Sequence, residues 1–587
     1  MPQKLKEVDV VVIGVGFAGA ILAKELAASG LKVVGLERGR ERHSVPDFQA
    51  PAIHDELKYS IRKGMMQDVT REAMTFRNHH KEIALPIRQW EAFLPGTGLG
   101  GSGVHWNGQT WRFQTADFNY KTHIEQRYGK NILDPDVRIQ DWGVSYQELE
   151  PHYDRFEYLL GVCGKAGNLN GKIQAGGNPL EAPRSREYPN PPMKEQYSGA
   201  LFRKAALELG YHPFIQPSAN MTRAYTNPEG VTLNPCVYCG FCERYGCEHF
   251  AKSSPQTVIL PVLMQNSNFE LRTEAQVLRI NVDSSGKKAT GVSYMDSQGR
   301  QFEQPASLVL LTAFALNDVR MLLLSGIGQP YDPVTEKGVV GRNYAYQTLS
   351  SVWAFLNEDV HLNSYMGAGS SGTLIDDFSV DNFDHSSLGF IGGCFVAGGT
   401  THARPIEFHP TPPGTPRWGS QWKQAVRRHY NHAAFILLSG TSAASRWNYL
   451  DLDPTYRDAW GLPLLRMTFE FPDNDVRMSR YITSKAGEIA RRMGGKPVEE
   501  LPRTQPFTTT AYQSTHNTGG AVMGTDPATS VVNRYCQSWD VPNVFVVGAC
   551  NYPQNSSYNP TGTLGALIYW TADAIKTKYL KNPGHLV

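Results

Sequence analysis

The chain has 587 residues, too long for one ordinary domain, and its length suggests about three to four domain-sized units or two large interleaved ones. Hydrophobic residues make up 41% and Lys+Arg 57 against Asp+Glu 55 leaves a net charge of +2, which excludes a disordered chain and a strongly basic nucleic-acid binder. Eight cysteines are too few for a disulfide scaffold, yet four of them fall within twelve residues.

No basic stretch followed by an apolar one opens the chain, so no secretory signal is expected. No apolar run reaches the roughly 18 residues of a membrane span. Asp9–Ile13 reads as a β-branched strand, followed by Gly14-Val15-Gly16-Phe17-Ala18-Gly19, a helical pattern over 20–29, and a strand over 32–36 ending at Glu37. Glycine at 14, 16 and 19 permits the tight turn, close approach to a pyrophosphate and close helix–strand packing. Glu37, about 20 residues on, is placed to accept hydrogen bonds from a ribose. The bland alternative is a glycine turn without a ligand.

Residues 40–93 are polar and loop-rich, and residues 95–108 hold six glycines in fourteen positions. This second loop, with Gly100, Gly101, Ser102, His105 and Asn107, suits a surface lying flat against a ligand. Helices are predicted over 145–160, 316–325, 473–493 (with Asp473 as N-cap) and 564–579. Paired strands are predicted over 269–282 and 292–295, a buried strand over 307–312, and an aromatic, strand-like region over 346–467.

Cys236, Cys239, Cys242 and Cys247 follow the spacing C-x2-C-x2-C-x4-C. The first two intervals match a bacterial ferredoxin run and the third is one residue longer. Thiolates this close wrap a small volume, which favours an iron–sulfur cluster; His249 keeps zinc open, and strained disulfides come last. Four cysteines suit four irons, or three irons with one thiol spare. Cys163, Cys394, Cys536 and Cys550 read as buried small hydrophobes.

Taken in order, the N-terminal glycines, the Gly100-Gly101-Ser102 loop and the segments 515–524 and 557–564 resemble the glucose–methanol–choline (GMC) family of FAD oxidoreductases. Leu310–Gly328 resembles the family's strand–helix segment, with Phe314 where glycine is usual. Gly341-Arg342-Asn343 matches a further signature, but Tyr346-Gln347 stands where Asp-His normally follows. The resemblance implies an α/β fold (α+β overall), with a Rossmann-type FAD-binding domain and an interleaved substrate domain on a largely antiparallel sheet. The expected parts are FAD-binding segments 1–150, 231–345 and 506–587, a substrate-side segment 151–230, the iron–sulfur loop 235–250, and a substrate domain 346–505. FAD contacts are expected from Gly14, Gly16, Gly19, Glu37, Gly100, Gly101, Ser102, His105, Asn107, Val277, Gly548, Asn559, Pro560 and Thr561.

Within the family the cysteine cluster is similar to that of the large catalytic subunits of bacterial membrane-bound sugar and sugar-acid dehydrogenases. This implies a [3Fe-4S] cluster rather than [4Fe-4S], a small signal-bearing subunit, a cytochrome c subunit, and the periplasmic face of the inner membrane, reached through those partners. A chain acting alone would be cytoplasmic. The resemblance also gives His516 as the base taking the hydroxyl proton and Asn559 as its partner, roles for which an imidazole near neutral pH is suited. Val104-His105-Trp106 resembles a segment of pyranose oxidase whose histidine is bonded to the flavin 8α-methyl; the alternative is a histidine packed on the ring. The function expected is oxidation of an alcohol of a sugar, polyol or sugar acid, with gluconate-type acids favoured. Rival readings are an O2-reducing oxidase with a zinc or vestigial cysteine site, and a non-catalytic flavin/iron–sulfur carrier.

Overall fold

A computed structural model describes residues 2–48, 65–71, 73–88, 93–399, 408–510 and 514–586; part of the loop-rich stretch 40–93 lies outside them. The first sheet is built on parallel strands in the order Phe269–Arg272, Val33–Leu36, Val8–Ile13, Gln301–Leu311 and Val544–Val546. Val10, Val11, Val12, Val33, Val34 and Leu36 are buried on both faces, as parallel strands covered by helices require. The long strand Gln301–Leu311 serves two partners. Its C-terminal half lies in the parallel sheet, and its N-terminal half pairs antiparallel with Ala289–Met295, which pairs with Gln276–Val282.

Helix Phe17–Ala28 follows the first strand and is buried on nearly every side, packed against Thr561–Ala574. Leu22 is fully buried there, so truncation to Ala would cost about 2–5 kcal/mol. Thr561–Ala574 also packs on Tyr146–Leu160, where a Cβ on Gly565 would lie 2.1 Å from the Phe156 ring. Ser145 caps that helix: its hydroxyl accepts from Glu148 N at 3.3 Å, while the Glu148 carboxylate accepts from Ser145 N at 2.9 Å.

The second sheet has six strands, all antiparallel, in the order Val498–Leu501, Thr348–Phe355, Ala433–Gly440, Cys394–Gly398, Thr373–Ile375 and Phe214–Ile215. Helices Asp473–Arg492 and Tyr197–Glu208 cover one of its faces through Met478, Ile482, Ile489, Phe202 and Ala206. The other face is turned toward the first sheet and bounds the cavity described below.

Some local expectations are corrected. The expected strand over 269–282 is two strands in two pairings, separated at Glu274, whose φ of +52° breaks the extended run. Asp473 is the first helical residue rather than the cap; Pro472, with an extended backbone, holds that place. Helices Tyr197–Glu208 and Gly419–His429 were not anticipated, the second because none of its residues is buried and its pattern carries no core signal. No helix among the described residues is long and apolar enough to cross a membrane.

Candidate functional site

A cavity of about 480 Å³ lies between the two sheets. At one end it is walled by Gly14, Gly16, Phe17 and Ala18, at the start of helix Phe17–Ala28. Gly14 has φ +87°, and a Cβ there would meet the Ala313 Cα at 2.8 Å. A Cβ on Gly19 would lie 2.0 Å from the Gly14 carbonyl, so this glycine shapes the turn without lining the cavity. The second glycine loop closes over the first, with the Gly100 carbonyl 3.7 Å from where a Gly16 Cβ would sit. Gly100 has φ +91° and stands behind the wall, while Gly101, Ser102, His105 and Asn107 line it. Opposed glycine turns beside a helix N-terminus leave backbone amides free to approach an anion.

Glu37 is buried, and its carboxylate accepts from Val15 N at 3.1 Å, Gly39 N at 2.9 Å and Gly98 N at 3.2 Å. It ties both glycine loops to the strand end while still bordering the cavity. Val277, Gly548, Asn559, Pro560 and Thr561 complete the lining on this side.

His516 and Asn559 face the cavity together, Asn559 Nδ2 lying 3.2 Å from His516 Nε2. Two residues fix this pair: Gln347, one of the departures from the family pattern, and Trp111, which the sequence did not single out. Strand Ala345–Tyr346 pairs antiparallel with Asn517–Thr518, in the register Ala345↔Thr518 and Tyr346↔Asn517. One step further, that register sets Gln347 opposite His516, and Gln347 N donates to the His516 carbonyl at 3.4 Å. The side-chain amide of Gln347 is oriented by the carbonyls of Ser556, Ser557 and Tyr558, to which its Nε2 donates at 3.1, 3.0 and 3.2 Å. Its Oε1 therefore faces His516 Nδ1, with which it is hydrogen-bonded. An amide oxygen accepts only, so Nδ1 carries the proton and Nε2 keeps its lone pair toward the cavity. On the other side, the buried Trp111 donates from Nε1 to Asn559 Oδ1 at 2.9 Å, which turns Nδ2 of Asn559 toward His516. Burial pushes the His516 imidazole down to about 4, so it is neutral at physiological pH.

His105 is buried, and its Nε2 has no hydrogen-bond partner. Burial, reinforced by the nearby Lys252 ammonium, pushes its pKa down to about 3. Gln109, also on the cavity wall, has its Oε1 buried without a partner.

The cysteine loop packs behind His105 and Asn107. Arg244 N donates to the His105 carbonyl at 2.7 Å, and Gly240, Glu243 and Arg244 form part of the cavity wall. Buried Lys252 holds the two segments together, donating to the carbonyls of Trp106, of Cys242 (2.8 Å) and of Tyr245 (2.6 Å). Cys236, Cys239, Cys242 and Cys247 are all free thiols. Burial first, and the neighbouring Cys242 next, push up the Cys236 thiol and raise that of Cys239 to about 12. Four thiols on one loop are the right donor chemistry for an iron–sulfur cluster. They are not drawn into a coordination sphere: among the described residues no three His, Cys, Asp or Glu side chains are grouped to hold a metal ion. Cys163, Cys394, Cys536 and Cys550 are buried free thiols.

A dinucleotide cradle opening onto a tautomer-fixed His–Asn pair in the cavity wall defines an oxidoreductase. The chain belongs to the GMC oxidoreductase family, whose N-terminal and C-terminal models match residues 140–348 and 443–567. It is 50% identical to the gluconate 2-dehydrogenase flavoprotein of Pantoea cypripedii, over 100% of this chain and 96% of that one. It is 24% identical to the fructose dehydrogenase large subunit of Gluconobacter japonicus, over 98% of this chain and 99% of that one. Among solved structures, pyridoxine 4-oxidase from Mesorbium loti aligns with a TM-score of 0.60 at 17% identity, covering 97% of this chain and 99% of that chain, a likeness of fold. The protein is thus an enzyme of this family, with the mixed α/β fold expected. Membership implies FAD, and the opposed glycine turns, the helix N-terminus and the partnerless His105 nitrogen fit that group.

Proposed function

We propose that this protein is an FAD-dependent dehydrogenase that oxidises the C2 hydroxyl of gluconate or a closely related sugar acid. The observation that carries the chemistry is the unprotonated Nε2 of His516, whose lone pair faces the Asn559 Nδ2 donor at 3.2 Å in the cavity. The substrate class rests on the likeness to the Pantoea cypripedii flavoprotein. One hydroxyl satisfies both groups, donating its proton to His516 Nε2 and accepting from Asn559 Nδ2. His516 takes that proton as the C–H bond breaks, and its position in line with the hydroxyl lowers the entropic cost of the step. FAD, when bound, accepts the hydride. A carrier without a substrate needs no such base, which disfavours the non-catalytic reading.

His105 is proposed as the residue bonded to the flavin 8α-methyl, because its neutral Nε2 is without a partner and the residue lines the cavity. Three of the four loop cysteines are proposed as the ligands of a [3Fe-4S] cluster, the fourth thiol being spare, supported by their spacing, their free state and the contact of their loop with the cavity wall. A small signal-bearing subunit, a cytochrome c subunit and a place on the periplasmic face of the inner membrane complete the reading. The large-subunit name of the Gluconobacter japonicus relative supports an assembly with partners.

Anaerobic mixing with gluconate, 2-ketogluconate, fructose, sorbitol and glucose in turn tests the substrate: gluconate should bleach the flavin, and bleaching by a neutral sugar alone would overturn the choice. Acid-precipitated protein should keep its yellow colour if His105 is bonded. Iron analysis with electron paramagnetic resonance decides the cluster, and O2 consumption at full turnover without a mediator would replace the dehydrogenase by an oxidase.

A further inference from the structure

We infer that Arg503 receives the carboxylate of the substrate and so selects acids over neutral sugars; this rests on the sugar-acid reading above. Arg503 lies two residues beyond the edge strand Val498–Leu501, whose Leu501 pairs with Ser351. Its backbone N donates to Ser479 Oγ at 2.7 Å, and its Nε donates to the Leu349 carbonyl. These bonds anchor the stem; no hydrogen bond to a described residue takes up the two terminal nitrogens of the guanidinium, and Arg503 lines the cavity. Among the described residues no carboxylate lies within ion-pair distance of it.

Arginines withdrawn from solvent elsewhere in this protein are treated differently. Arg112 and Arg184 share Glu157, and Arg320 pairs with Asp458. Arg503 is partly buried, a cation without a counter-charge there is costly unless something supplies one, and a guanidinium fork matches a carboxylate in two parallel hydrogen bonds. Burial lowers the Arg503 pKa to about 10, so the charge is still present at neutral pH.

The position suits the reaction. Leu349, which holds Arg503, is two residues beyond Gln347, which holds His516, a separation of roughly 7 Å along an extended chain. In a 2-hydroxy acid the carboxylate adjoins the carbon to be oxidised, so an anchor beside the base fixes the reacting hydroxyl. Around the guanidinium the sheet turns Leu349, Ser351, Leu437 and Ser439 to the cavity, cross-strand pairs with no acid among them. The anion-binding glycine turns belong to the first sheet, so Arg503 is not part of that cradle.

The test compares wild-type, R503K and R503M holoenzymes on gluconate and on gluconamide, its neutral carboxamide, with FAD content measured for each. R503M should lose roughly 10- to 150-fold in kcat/KM on gluconate and less than about threefold on gluconamide, with R503K between. The gluconamide rate shows that a variant has folded. Equal losses on both substrates, or loss of FAD, in a protein whose wild type oxidises gluconate would overturn the role of Arg503 alone. Failure of gluconate to bleach the wild-type flavin would instead overturn the substrate reading, and the inference with it.

Discussion

Gln347→Met deletes the contact that fixes the proton on His516 while keeping side-chain length. Two kinds of loss follow, and they separate. The Gln347 amide has two N–H protons shared among three buried carbonyls at 3.0–3.2 Å, so its removal costs about 1–3 kcal/mol of stability at a typical value per bond. The second loss falls on the base. With Oε1 gone, the Nδ1–H tautomer buries a donor with nothing to accept it, a penalty of about 1–3 kcal/mol. The other tautomer would point Nε2–H at the Asn559 amide and has no lone pair for the substrate. The competent population therefore falls roughly 5- to 150-fold. The assay is anaerobic stopped-flow reduction of the bound flavin by gluconate, normalised to FAD content, because it isolates the step in which the proton moves. Gln347→Glu is the companion: a carboxylate still accepts from Nδ1, restores the tautomer and favours the imidazolium, so the acid limb of the rate profile should move upward. Flavin reduction at the wild-type rate in Gln347→Met, with FAD content intact, would refute this account of the tautomer.

Three further outcomes are expected. Trp111→Phe retains the aromatic contacts with Tyr558 and Phe395 at 5.3 and 5.2 Å but deletes the bond to Asn559, so flavin reduction should slow about 5- to 10-fold in a normally folded protein; an unchanged rate would show that Asn559 orients itself. His516 must be neutral to act, and burial holds its pKa at about 4, so kcat/KM should be full at pH 6 and fall only as pH drops through about 4; gluconamide is the substrate to use, since a free acid titrates nearby, and a limb near 6.5 would contradict the burial argument. Phe314 sits at φ +78° and ψ 144°, a region that favours glycine, so Phe314→Gly should raise stability by about 1 kcal/mol; a loss near 3 kcal/mol, typical of truncating a packed Phe, would show that the ring outweighs the backbone.

What the sequence disclosed follows how locally each feature is determined. The glycines at 14 and 16 are imposed by backbone that leaves no room for a Cβ or lies against another loop, so they are visible as letters. Cysteine spacing is visible for the same reason, though it reports donors and not their assembly into a metal site. Trp111 and Asn559 are 448 positions apart, and no periodicity or spacing connects them. Arg503 is one of the Arg and Lys residues over 346–505 that could receive a carboxylate, and no spacing singles it out: its distinguishing property is the absence of a carboxylate neighbour among the described residues, which only the folded chain displays. Lys252 and Gln109 are ordinary letters made unusual by burial.

The two departures from the family pattern have opposite physical meanings. Phe314 replaces a glycine but keeps the backbone that glycine would adopt, so that substitution shows up as strain. Gln347 replaces half of an Asp-His pair in a strand whose register places it opposite the catalytic histidine. A second imidazole at this place could donate or accept, or carry a charge, and would leave the tautomer open, whereas a neutral amide held by three carbonyls specifies the tautomer without adding a charge. An enzyme whose base sits in a dry cavity keeps it unprotonated by this means. On the sugar-acid reading, the substrate carboxylate then meets the positive charge of Arg503 on the sheet side without a second one on the base.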